Sequence, residues 1–105
     1  MKRIVALAAF LITLTAWPVQ AQDVSERLKG ATLAQQICAE CHAVEPGQPQ
    51  SPNGQAPTFE TVAKTPGMTA IALTAILRTS HRTMPNIILA NDDLRNVIAY
   101  IMTLK

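Results

Sequence analysis

The sequence predicts an all-α fold in one small domain. Three segments repeat apolar residues at the three- and four-residue spacing of a helix. No segment alternates apolar and polar residues between turn signals, as a strand with one exposed face would. Prolines and glycines from residue 45 to 57 exclude regular structure there. We therefore expect three main helices joined by loops, and no sheet.

The first predicted helix begins at Asp23. Asp23 and Glu26 fit a capping box, in which two side chains satisfy free amides of the first turn. Small and apolar residues then recur at helical spacing: Leu28, Ala31, Ala34, Ile37 and Cys38. This helix would carry Cys38 at its end.

The second predicted helix starts after Thr69, whose hydroxyl can cap it, and ends near Thr79. Its apolar residues give a broad face for core packing: Ile71, Ala72, Leu73, Ala75, Ile76 and Leu77.

The third predicted helix follows Asn91, which can accept from the free amides of the first turn. Asp92 and Asp93 favour the positive end of the helix dipole, and Lys105 suits the other end. One apolar stripe runs along it: Leu94, Val97, Ile98 and Ile101.

The amino terminus has the pattern of a secretory signal peptide. A basic start at Lys2 and Arg3 precedes an apolar run from residue 4 to 16, and Val19-Gln20-Ala21 supplies small residues for cleavage. A retained membrane anchor is the alternative, but it needs about 20 apolar residues, and Trp17-Pro18 ends the run early. We expect residues 1–21 to be removed and residues 22–105 to form the domain in the periplasm.

Charge excludes two classes of partner. The 105-residue chain has nine Lys and Arg against seven Asp and Glu, and Lys2 and Arg3 would leave with the signal peptide. The remaining chain is nearly neutral, so it lacks the basic face that nucleic acid or an anionic membrane surface requires. So small a domain also needs a stabilising group such as a disulfide, a metal or a large buried cofactor.

The segment Cys38-Ala39-Glu40-Cys41-His42 is a C-x-x-C-H motif, which is typical of covalent haem attachment. Two thiols at this spacing can add to the two vinyl groups of one haem, and His42 then places an imidazole at the iron. A zinc site would need four ligands, and only His81 remains among the usual donors. A thiol redox pair would need an adjacent strand and helix unit, which the sequence lacks.

A second axial ligand can come from several residues. Met102 lies on a helix, where methionine usually fills the core, and Met68 precedes a helix cap. Met84 lies between the second and third helices, where Pro85 restricts it to an extended conformation that can direct a thioether. The leading alternatives to Met84 are His81 and an open site.

The order of these features resembles the small class I cytochromes c. The C-x-x-C-H motif, the proline-rich loop, Ala56-Pro57-Thr58-Phe59, Met84-Pro85 and a closing helix ending Val97-Ile98-Ala99-Tyr100-Ile101 carry the resemblance. It implies that Gly30 and Tyr100 lie where the first and last helices cross. An aromatic often found before the first cysteine is replaced by Ala34. The resemblance also implies that Met84 binds the iron and that the carbonyl of Pro57 accepts a hydrogen bond from Nδ1 of His42.

We therefore expect a periplasmic one-electron carrier with one covalent haem c attached through Cys38 and Cys41, with His42 and Met84 as iron ligands. It would not be an enzyme, and redox proteins would dock transiently at the haem edge. The alternatives are a haem enzyme or ligand sensor with an open distal site, and a dedicated subunit of a dehydrogenase or oxidase. Arg78 and Arg82 would pair with a haem propionate, face a partner or stay solvated.

Overall fold

The computed structural model describes residues 18–79 and 83–105 of the chain. Regular structure in these two ranges is entirely helical, which confirms the all-α prediction. The elements are α1 (Pro18–Leu33), which continues into a π-helical turn (Ala34–Cys38), α2 (Phe59–Lys64), α3 (Ala70–Leu77) and α4 (Asn91–Met102). None of these helices is long and apolar enough to cross a membrane.

Helix α1 packs mainly on α4, through small residues rather than through a wide apolar stripe. Gly30 is buried, and a Cβ atom there would lie 1.9 Å from the carbonyl oxygen of Asn96. Ala34, four residues later, is completely buried. Leu28 and Ile37, which the sequence placed on the same face, are 65% and 40% exposed. The close contact of two backbones leaves no room there for large side chains.

The predicted start of the first helix is wrong for the full chain. Residues 18–22 are already helical, so the described part of helix α1 includes the chain before Asp23. Asp23 therefore lies inside the helix, where it pairs with Arg27 at 2.5 Å instead of capping. The apolar run from residue 4 to 16 lies outside the described residues, and cleavage after Ala21 stays a prediction.

Helix α4 supplies the centre of the core. All four residues of its predicted stripe are buried, and Asp92 and Asp93 lie in its first turn as expected. The predicted cap is wrong: Ala90 precedes the helix without a side-chain cap, and the amide oxygen of Asn91 accepts from Arg78. Lys105 donates to the carbonyl oxygen of Met68 at 2.7 Å.

Helix α3 begins as predicted, since the Thr69 hydroxyl accepts from the amide of Ala72 at 3.1 Å. The predicted apolar face packs in part: Leu73 is buried, and Ala72 and Leu77 pack against the core. Ile71 is 84% exposed and Ile76 is 36% exposed, so these two residues lie outside the core.

Helix α2 was not predicted. Its six residues are too few to establish a helical period, but Thr58 gives a local signal, since its hydroxyl accepts from the amide of Thr61 at 3.0 Å. Residues 45–57 before it contain only turns and bends, as their prolines and glycines predicted.

Candidate functional site

The C-x-x-C-H segment forms a tight turn directly after the π-helical turn. The amides of Cys41 and His42 both donate to the carbonyl oxygen of Cys38, at 3.1 and 2.9 Å. Both cysteine thiols are free and partly exposed, and burial raises the pKa of the Cys38 thiol. The turn therefore presents two unoxidised thiols at a surface that a reagent or cofactor can reach.

The ring of His42 has a fixed orientation and a defined tautomer. Its Nδ1 lies 2.7 Å from the carbonyl oxygen of Pro57. A carbonyl oxygen can only accept, so Nδ1 donates in this bond, and Nε2 carries the lone pair of the neutral ring. The ring also packs on Phe59, with centroids 5.6 Å apart and planes tilted by 50°. Nε2 is therefore the atom of His42 that can bind a metal.

The proline-rich loop is tied to the backbone on either side of His42. The hydroxyl of Ser51 accepts from the amide of Ala43 at 3.0 Å, and the amide of Asn53 donates to the carbonyl oxygen of Cys41 at 3.1 Å. The role of Ser51 carried no pattern in the sequence, because it depends on how the loop folds back.

Helix α2 holds the same region from another side. The amide of Phe59 donates to the carbonyl oxygen of Ala43 at 2.9 Å. Glu60 accepts from the amide of Gly47 at 3.1 Å and from Lys64 at 2.5 Å. The hydrogen bond from Lys64, followed by the one from Gly47, lowers the pKa of the Glu60 carboxyl. Helix α2 thus joins both ends of the proline-rich loop.

Helix α4 reaches the site through Tyr100. Its phenol donates to the carbonyl oxygen of Val44 at 2.6 Å, and Val44 itself is 2% exposed. Burial, and then the nearby Glu45 carboxylate, raise the pKa of the Tyr100 phenol. Tyr100 also flanks Gly30, so one side chain connects the crossing of α1 and α4 with the segment after His42.

The three methionines of the described ranges differ in burial. Met68 is 8% exposed within the core, and Met102 packs against the core from α4. Met84 is half-buried in the segment between α3 and α4. His81 and Arg82 lie outside the described residues. Arg78 donates to Asn91 at 2.9 Å, so it has a partner within the chain.

This site fits a haem better than a metal ion held by protein alone. In the ranges that the structure describes, no group of three or more His, Cys, Asp and Glu residues can hold a metal ion. Cys38, Cys41 and His42 thus do not converge on one point. A haem would instead be held at three separate points, with Cys38 and Cys41 at its vinyl groups and His42 at its iron.

An all-α fold with this set of donors defines the chain as a small c-type cytochrome. Residues 25–101 match the family model described as "Cytochrome C oxidase, cbb3-type, subunit III", and the chain belongs to the c-type cytochromes. It is 34% identical to cytochrome c-552 of Bradyrhizobium diazoefficiens over 76 residues, 72% of each chain. No solved structure matches it. The chain is accordingly an electron-transfer haem protein whose cofactor is covalently bound haem c, with its iron.

Proposed function

We propose that this chain is a periplasmic one-electron carrier with a single haem c. Cys38 and Cys41 form the two thioether bonds, and His42 and Met84 are the iron ligands. The observation that carries the proposal is the hydrogen bond from Nδ1 of His42 to Pro57, because it leaves Nε2 available beside two free thiols. When bound, haem c supplies the couple between Fe(II) and Fe(III) that takes up and releases one electron.

The role of His42 depends on its neighbours. Pro57 keeps the proton on Nδ1, so the ring presents the same donor atom in both oxidation states. Phe59 packs on the ring and restricts its rotation. Together they would keep the ligand in place during electron transfer, without a proton moving.

Burial of the methionines supports Met84 as the distal ligand. Met68 is part of the core cluster and Met102 packs against it, so neither is free to reach a cofactor without disturbing the core. Met84 lies in a segment without regular structure, and the following Pro85 disfavours a helical conformation there. A thioether ligand favours reduced iron, so His and Met ligation would raise the potential above that of two histidines.

Export supports the periplasmic location. The signal peptide pattern of residues 1–21 would direct the chain across the inner membrane, where haem attachment of this kind takes place. The remaining chain has seven basic and seven acidic residues, so its partners would dock through apolar contacts more than through charge. Such contacts are small and short-lived.

Absorption spectra of the purified protein test this proposal. Oxidised protein should show the weak long-wavelength charge-transfer band of methionine-bound ferric haem. Met84→Ala should lose that band, and the matched control Met102→Ala should keep it. A five-coordinate, high-spin spectrum that shifts with added ligand would indicate an open-site enzyme or sensor, and a haem-free protein would overturn the assignment.

The family description favours one second candidate, a dedicated subunit of a larger redox complex. The description of the matching family names a subunit of an oxidase. Purification from the native host, with and without detergent, separates the two. A free carrier elutes at the size of one small domain, whereas a subunit co-purifies with the same larger proteins in constant proportion.

A further inference from the structure

Two residues join the ends of the chain segment that carries Met84. Arg78 directly follows α3, and Asn91 is the first residue of α4. The guanidinium group of Arg78 donates to the amide oxygen of Asn91 at 2.9 Å, across 13 positions of sequence. The two side chains are exposed, so burial does not account for their pairing.

The described part of this segment, residues 83–90, has few other attachments. Leu89 packs against the core, whereas Ile88 is 90% exposed. Between described residues, no side-chain hydrogen bond links 83–90 to the rest of the chain, and its only backbone bond of this kind is the one from Leu94 to Ala90 at the start of α4. Among the described residues, the segment is thus held through Leu89 and through its two ends, and the bond from Arg78 to Asn91 lies across those ends.

We propose that Arg78 and Asn91 form a clasp that sets how readily Met84 leaves the iron. This inference rests on the proposed function, because it takes Met84 as the distal ligand. Both are positioning residues that act through the segment between them. When its ends separate, the effective concentration of the thioether at its ligand position falls, and an external ligand competes more easily.

The chemistry of the pair predicts how the clasp responds to substitution. The guanidinium group of Arg78 is charged and the amide of Asn91 is neutral, so only the donor of this hydrogen bond carries a charge. An aspartate at position 91 would turn the bond into an ion pair and would keep its geometry. Asn91→Asp should therefore preserve the clasp, whereas Asn91→Ala should remove it.

The rate at which imidazole replaces methionine in the oxidised, haem-loaded protein tests the clasp. Arg78→Gln and Asn91→Ala should each accelerate replacement about three- to five-fold, the effect of losing one exposed hydrogen bond. The double variant should be no faster than either single variant, because both remove the same interaction. Asn91→Asp should exchange more slowly than the wild-type protein, because a hydrogen bond between two charged groups is stronger.

A matched control separates the clasp from general loss of stability. Arg95→Gln breaks another exposed arginine pair on α4, the one with Asp92 at 2.6 Å, and should leave the rate unchanged. Wild-type rates in both Arg78→Gln and Asn91→Ala would overturn the clasp while leaving the ligation intact. A wild-type protein without the methionine band would instead overturn the ligation, and the clasp with it. If Asn91→Ala does not fold, slower exchange in Asn91→Asp supports the clasp, and an unchanged or faster rate refutes it.

Discussion

Gly30 of α1 lies directly against the backbone of Asn96 in α4. A Cβ atom at position 30 would stand 1.9 Å from the carbonyl oxygen of Asn96 and 2.5 Å from its carbonyl carbon. Real Cβ atoms do not approach a backbone so closely, and a backbone cannot rotate aside as a side chain can. The spacing of α1 and α4, and with it the position of the haem-binding turn, therefore depends on the absence of a side chain at residue 30.

Gly30→Ala should destabilise the protein by about 3 kcal/mol or more, because the two helices must separate to admit the methyl group. Urea unfolding of the haem-loaded protein measures this change. Gly54→Ala is the matched control, since a Cβ atom there meets nothing within 4 Å. Equal loss of stability in both variants would contradict the close packing.

Tyr100→Phe should lower the free energy of unfolding by about 1 kcal/mol at neutral pH, because Val44 loses its hydrogen bond. The folded protein raises the pKa of the phenol, so Tyr100 stabilises the fold fully below its unfolded pKa of about 10. That contribution is lost as the pH rises through the higher folded value. Between neutral and strongly alkaline pH, the free energy of unfolding should fall less steeply in the variant than in the wild-type protein. If the two proteins give parallel curves of this free energy against pH, Tyr100 does not have this role.

Ser51→Ala should destabilise the protein by about 1–2 kcal/mol, because the partly buried amide of Ala43 loses its acceptor. Chemical unfolding measures the loss. Ser25→Ala on α1 is the control and should change stability little, since its side chain has no hydrogen-bond partner within residues 18–79 and 83–105. A smaller effect at Ser51 than at Ser25 would show that water replaces the hydroxyl without loss.

Glu60→Gln should make the free energy of unfolding depend less on pH in the acid range. The folded protein lowers the pKa of Glu60, so its stabilising effect is present above the unfolded value of about 4.3 and is lost as the pH falls through the folded value. The variant lacks this group, so its stability should change less over that interval. Asp23→Asn, which removes an exposed ion pair of α1, serves as comparison. If the free energy of unfolding of Glu60→Gln falls with acid as steeply as that of the wild-type protein, the Glu60 carboxylate does not stabilise the fold in this way.

Most of the fold could be predicted from the pattern of apolar and capping residues in the sequence. The predictions that failed have local causes. The apolar stripe of α4 and the Thr69 cap of α3 were predicted correctly. A buried helix face requires apolar residues at helical spacing, and the free amides of a first turn favour a capping side chain, so both are visible in the sequence. Asp23 failed as a cap because the chain before it is also helical, and its carboxylate pairs with Arg27. Asn91 failed because a more distant partner, Arg78, competes for its amide. The six-residue helix α2 is too short for a period to be recognised.

The candidate site could also be predicted only in part from the sequence. The spacing of Cys38, Cys41 and His42 predicted haem attachment, because that chemistry requires residues close together in sequence, and the family confirms a covalently bound haem c. The resemblance to a family supplied the pairing of His42 with Pro57. The bonds from Ser51 and Tyr100 to the segment after His42 came from the structure alone, because they join residues that only folding brings together.

The turn from Cys38 to His42 also bears on how the protein is made. Two hydrogen bonds shape this turn, from the amides of Cys41 and His42 to the carbonyl oxygen of Cys38. They span at most four residues, so the turn can form before the rest of the chain folds. The bonds to Pro57 and Tyr100 span 15 and 56 residues and must close later. A maturation enzyme could thus recognise and modify the turn in an extended chain, and folding would then enclose the finished cofactor.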